Sequence, residues 1–230
     1  MSNSLSLTVL EFGSLFSYTP RPNSTDSKLL EDMKKTKNWT IWLKQNRMVS
    51  IQGQQDTMSM SDYVATILER NLTELPFNDF FDRDTTLVPV PRNAPLTKDG
   101  LWVPDKIANA MVKRGIGSRV VPCLIRSVPV NKSGQTNSTI RPLPMEHYES
   151  VSISTTLTGF DNVVLIDDVI TRGATFIGLA NKMADQNPGI RIRAFSAIRT
   201  ISNPTEFTGW FKPVRGTITL RSSGDAIRRP

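Results

Sequence analysis

Residues 163–175 read VVLIDDVITRGAT. Four apolar residues in a row, Val163 to Ile166, without polar alternation, suit a strand covered on both faces, as in a parallel sheet. Two adjacent acids, Asp167 and Asp168, then stand at the carboxyl end of that strand. A short turn, Thr171 to Thr175, leads into a helix expected over 173–186, where Phe176, Leu179, Ala180 and Met183 share one face. Strand, acids, turn and helix in that order predict a strand end that carries chemistry.

The same rhythm extends outward from this stretch. LVPVP (87–91) predicts a strand, and Val103 to Arg114 a helix through Ile107, Ala108, Met111 and Val112, stopped at Gly115. RVVPCLI (119–125), Ile190 to Ile198 and GTITL (216–220) predict three further strands. Alternation of this kind implies an α/β fold with a doubly wound, mostly parallel sheet, which binds ligands at the carboxyl ends of its strands. Residues 1–83 form a mixed, mostly helical region: a strand or short apolar segment over 7–16, a helix capped by Thr25, and a second capped by Ser61. The expected division is this hood at 1–83, a core at 84–200, and a C-terminal strand and basic tail at 201–230. The segment 126–159, rich in Ser, Thr, Asn, Pro and Gly, is long for a loop in a compact domain and suits a disordered stretch, an active-site lid, or a secondary-structure element that the pattern does not reveal.

Composition narrows the chemistry. The chain has 230 residues, 38% hydrophobic and 21% charged, with no apolar run near the roughly 20 residues that a membrane span needs. Glu11 interrupts the apolar N-terminal stretch, so no secretory signal is expected and the cytoplasm is the expected compartment. A single cysteine, Cys123, and a single histidine, His147, exclude a disulfide framework and a zinc cluster from this sequence. The formal net charge of +7 favours anionic partners, nucleic acid or a small phosphorylated ligand. KKTKNWTIWLKQNR interleaves basic and aromatic residues, although Trp39 and Trp42 three apart suit one buried helix face. Arg228 with Arg229, and Arg191 with Arg193 on one side of a strand, are expected to be solvated.

The turn Thr171–Thr175 points backbone N–H groups into one concavity at a helix N-terminus, an anion cup that the Thr171 and Thr175 hydroxyls extend. Asp167 and Asp168 cannot bind the same anion. They suit a diol attached to it, or a hydrated Mg²⁺. A ribose 5-phosphate answers both halves.

LIDDVITRGAT resembles the phosphoribosyl-pyrophosphate (PRPP) signature of type I phosphoribosyltransferases, and LVPVPRNAP (87–95) resembles the pyrophosphate loop of their ComF-like branch; the likeness spans roughly 84–200. The resemblance implies that Asp167 and Asp168 hold the ribose hydroxyls, that Thr171, Arg172, Gly173, Ala174 and Thr175 wrap the 5-phosphate, and that Arg92 meets the pyrophosphate. It implies Mg²⁺ as cofactor, PRPP and a nitrogenous acceptor as partners, and a homodimer. It also places the family's flexible catalytic loop at 126–159, with Lys132, Arg141 and His147 as contacts for pyrophosphate or base. Arg172 is similar to the turn of amidophosphoribosyltransferases, whose glutaminase cysteine has no counterpart here. Thr171 stands where hypoxanthine-guanine enzymes carry an Asp. The ComF-like competence proteins add a zinc ribbon whose cysteines this chain lacks.

The expected activity is therefore transfer of 5-phosphoribosyl from PRPP to a nucleobase or amine with release of pyrophosphate. Two alternatives stay open: a non-catalytic PRPP-binding regulator, and a nucleic-acid-associated accessory protein of the competence type. A sugar-phosphate hydrolase ranks lower, because no water-activating base or metal cluster is legible.

Overall fold

The computed structural model describes residues 5–50, 56–97, 100–131, 141–154 and 159–230. The apolar run forms the strand expected of it, nine residues long, β8 (Asn162–Ile170). Five strands run parallel: β5 (Arg119–Val120), β4 (Thr86–Pro89), β8, β9 (Arg191–Thr200) and β1 (Val9–Tyr18), hydrogen-bonded in that order. Antiparallel β10 (Phe211–Leu220) and β11 (Ala226–Arg229) complete a seven-stranded sheet beyond β1. The fold class is α/β with a mixed, mostly parallel sheet and flanking helices, as the alternating pattern predicted.

Two cores cover the two faces of this sheet. Val163 and Leu165 pack with Phe176, Ile177 and Ala180 of α5 (Ala174–Gln186). Their neighbours Val164 and Ile166 pack with Ile107 and Met111 of α3 (Val103–Val112), Leu43 of α1 (Ser27–Lys44) and Val64 and Leu68 of α2 (Met60–Asn71). Alternate residues of one strand thus enter opposite cores, which is why the strand reads as a continuous apolar run. Fully burying each such side chain is worth about 1.5–3 kcal/mol.

Several boundaries differ from expectation for local reasons. RVVPCLI splits at Pro122, which has no N–H for a ladder: β5 stays in the main sheet, while β6 (Leu124–Arg126) pairs antiparallel with β7 (Val151–Ile153). The segment 126–159 also contains α4 (Pro144–Glu149), begun by Pro144 at its first position and by the Glu146 carboxylate accepting from Leu143 N–H. Asp26 and Ser59, not Thr25 and Ser61, cap α1 and α2, each accepting the N–H three residues on, from Leu29 and Asp62. A short antiparallel pair, β2 (Met48–Ser50) and β3 (Thr57–Ser59), connects these two helices. Trp39 and Trp42 are half-buried on the α1 side, and Trp39 stands edge-on to Trp210 at 5.1 Å.

α3 and α5 lie on opposite faces of the sheet. The chain leaving β4 crosses to the α3 face, and the chain leaving the adjacent β8 crosses to the α5 face. Connections that diverge from neighbouring parallel strands open a crevice at their carboxyl ends. Arg92 follows β4 there, and the two acids lie at the end of β8.

Candidate functional site

Asp167 and Asp168 are half-buried near the end of β8. Asp168 N–H donates to Asp167 Oδ1 at 2.9 Å, and Val169 N–H to Asp168 Oδ1 at 2.8 Å, so local backbone orients both carboxylates. Burial, and then the adjacent Asp168 charge, push the Asp167 carboxyl well above its ordinary range, while the Lys44 ammonium at the end of α1 offsets part of the rise. The pair therefore favours an occupant that donates hydrogen bonds or carries positive charge. No group of three or more His, Cys, Asp or Glu residues able to hold a metal occurs among the described residues, so the donor set amounts to two carboxylates. Two carboxylates suit a Mg²⁺ whose remaining ligands are water and substrate oxygens, and do not suit a closed protein cage.

The turn after β8 depends on Gly173. Its φ of +89° lies in the left-handed region, and a Cβ there would stand 2.7 Å from Ile218 side-chain carbons of β10. Only glycine satisfies both demands. Gly173 also occupies the cap position of α5 without a side-chain cap, so the first backbone N–H groups of a 13-residue helix receive no side-chain acceptor from the cap. These donors and the helix dipole make the positive end expected from the sequence.

The C-terminal hairpin braces that turn from behind, which charge runs alone did not reveal. Arg172 pairs with Asp225 at 2.5 Å, and the Asp225 carboxylate also accepts from Ala226 N–H. Arg228 donates from Nε to the Thr171 carbonyl at 2.8 Å and from Nη2 to the Thr200 carbonyl at 2.7 Å. Arg228 is thus a half-buried strut and not the solvated tail residue expected. Arg172, expected to wrap the phosphate, turns part of its guanidinium toward Asp225 instead.

On the neighbouring strand, Arg92 is exposed beyond β4 and its guanidinium lies against Gly100. Its segment is tied down at three carbonyls: Val90 accepts from Trp102 Nε1 at 2.7 Å, Arg92 from Arg126 Nε at 3.1 Å, and Asn93 from Val130 N–H at 2.8 Å. Arg126, unremarked in the sequence, is 3% exposed, and burial lowers its pKa to about 10.

Of the three expected loop contacts, Lys132 lies outside the described residues. Arg141 is half-buried, with Nε enclosed and unbonded. His147 is not on a loop: it sits in α4 at 1% exposure, with Nε2 3.3 Å from the Thr175 hydroxyl. Burial, then the Arg126 and Arg172 charges, lower its pKa to about 3, so it is neutral at physiological pH. The physical reason is that α4 packs tightly on α5, where Gly178 leaves room for the Pro144 carbonyl and the His147 Cβ. Arg193, expected to be solvated, is 4% exposed and donates to the Asp79 carbonyl at 2.7 Å beside Glu11 and Asp79. Cys123 is buried, with its thiol pushed up to about 11, which removes it as a nucleophile.

No family model matches the chain, and no curated protein matches it. Among solved structures, a hypoxanthine phosphoribosyltransferase from Staphylococcus aureus is similar at a TM-score of 0.34 and 10% sequence identity. That likeness covers 62% of this chain and 73% of the other. No helix among the described residues is long and apolar enough to cross a membrane.

Proposed function

We propose that the protein binds PRPP at the carboxyl ends of β4 and β8 and transfers its 5-phosphoribosyl group to a nitrogen acceptor, releasing pyrophosphate. The observation that carries this reading is the union of two opposite demands within nine residues. Asp167 and Asp168 favour hydroxyls or a cation, and the uncapped start of α5 beyond Gly173 favours an anion. A ribose 5-phosphate carries both a diol and a phosphate.

In this mechanism the Thr171–Thr175 turn holds the 5-phosphate through backbone N–H groups, and the carboxylates accept from the ribose hydroxyls. A Mg²⁺ bound with PRPP would neutralise charge on the pyrophosphate, its protein contacts supplied by Asp167 and Asp168. The acceptor nitrogen forms a bond to the anomeric carbon as the bond to pyrophosphate oxygen breaks, through a transition state with positive charge on the sugar. Asp167 and Asp168 stabilise that charge, and Arg92 on the adjacent strand end receives the leaving group. Positioning supplies much of the rate enhancement, and the pinned 90–102 segment and the braced turn serve it. His147, buried and neutral, orients the Thr175 hydroxyl and takes no proton.

A pyrophosphate-release assay with PRPP, Mg²⁺ and a panel of nucleobases and amines tests the reading; turnover with one acceptor class is expected. The net charge of +7 favours the competing reading, a PRPP-binding regulator of nucleic acid. PRPP binding without turnover, joined to salt-dependent nucleic-acid affinity that responds to PRPP, would establish it.

A further inference from the structure

The carboxyl ends of β9 and β1, beside the phosphate turn, carry buried cationic and hydroxyl groups that the mechanism above does not use. Arg199 of β9 is 8% exposed and stands in register with Ile170 of β8 on one side and Ser17 of β1 on the other. Its Nε is buried without a hydrogen-bond partner, and no carboxylate among the described residues pairs with it. Arg228 reaches the same place over the Phe12 ring, with Nε and Nη2 engaged by carbonyls and Nη1 buried and unbonded. The hydroxyls of Ser17 and Thr19, at 2% and 0% exposure, are likewise buried and unbonded.

Buried donors without partners are rare in folded proteins, and two guanidinium groups set together without an acid are rarer still. Burial lowers both, and the Arg199 charge lowers Arg228 further, to about 10. Two guanidinium groups flanked by hydroxyls match a planar oxyanion, whose two oxygens each accept from one arginine.

We propose that Arg199 and Arg228, with Ser17, form a carboxylate-binding site that grips the acceptor of the phosphoribosyl transfer. The proposal rests on the phosphoribosyl-transfer reading. With Arg92 receiving pyrophosphate on the β4 side of β8, an in-line displacement brings the acceptor from the opposite side. That side is the end of β9 and β1. The phosphate turn already serves the 5-phosphate, so the remaining anion is a carboxylate of the acceptor, and the expected acceptors are aromatic or heterocyclic carboxylates.

Benzoate and benzamide, alike in shape and different in charge, are the probes. Calorimetric titration of each into the full chain, with and without PRPP and Mg²⁺ at fixed chloride, is expected to show benzoate at least tenfold tighter. Arg199→Gln is expected to abolish that preference and to change PRPP affinity less than threefold, and Arg199→Lys to restore part of it. Equal affinity of the wild-type chain for both probes overturns the proposal, and this comparison requires no variant to fold. A preference that survives in Arg199→Gln overturns it too. Inorganic phosphate displacing benzoate with tighter affinity overturns the carboxylate assignment in favour of phosphate. A carboxylate preference that depends on Arg199 in a chain that binds no PRPP leaves the anion site standing and overturns its assignment to an acceptor.

Discussion

His147 gives the most quantitative test of the packing around the candidate site. It is the only histidine in the chain, so its ring protons report its charge without assignment. The folded pKa of about 3 lies below the ordinary value of 6.5. A depressed folded pKa contributes stability that is fully present above 6.5 and is lost as pH falls toward 3, because the unfolded chain takes the proton first. Each unit is worth 1.36 kcal/mol, so the loss is about 2 kcal/mol at pH 5 and about 4 kcal/mol by pH 3. Urea denaturation between pH 7.5 and 5 measures it, with His147→Gln as the control in which this part of the pH dependence disappears. The ring signal of the native chain should stay in its neutral position down to pH 5. A ring that titrates near 6.5, or a variant that keeps the full pH dependence, would refute both the burial of His147 under α5 and the electrostatics derived from it.

Other perturbations separate the components of the site. Gly173→Ala imposes left-handed strain and a clash with Ile218, costing about 2–5 kcal/mol and about 2–4 °C of Tm for each kcal/mol; a loss under about 0.5 kcal/mol by urea denaturation would contradict the tight turn. Asp225→Ala frees Arg172 beside the Thr171–Thr175 turn and removes a partly buried charge-assisted bond worth about 1.5–3 kcal/mol. PRPP affinity should fall with it, and an unchanged affinity in calorimetry would show that the hairpin does not position the turn. Asp167 has the opposite pH sign to His147: its folded pKa is raised, so the ligand-free chain loses stability from this group as pH rises above the unfolded value. Asp167→Asn is therefore expected to raise the ligand-free Tm at pH 7, and a lowered Tm would contradict the unfavourable pair of acids.

Most of what positions the site was legible because it is local. The run Val163–Ile166 reads as a two-faced buried strand, and the helix after Gly173 announces itself through its apolar spacing. Short elements were hidden: α4 has six residues and β7 three, too few for a period to show, and Pro122 divides what looked like one strand. Charged residues misled for another reason. Arg193 owes its burial to Asp79, 114 positions away, and Arg228 owes its role to Thr171, 57 positions away. A basic residue with a distant partner looks like any solvated one until the chain is folded. His147 was similarly opaque, since its neighbours Thr175 and Arg172 are contributed by the β8–α5 turn.

Calorimetric titration of PRPP with Mg²⁺ into the wild-type chain and into the double variant Asp167→Asn, Asp168→Asn tests the central assignment most directly. One site per wild-type chain and loss of binding in the double variant are expected, with its circular dichroism and cooperative unfolding retained. Equal affinity of the two proteins, or no binding to the wild-type chain, would contradict the assignment.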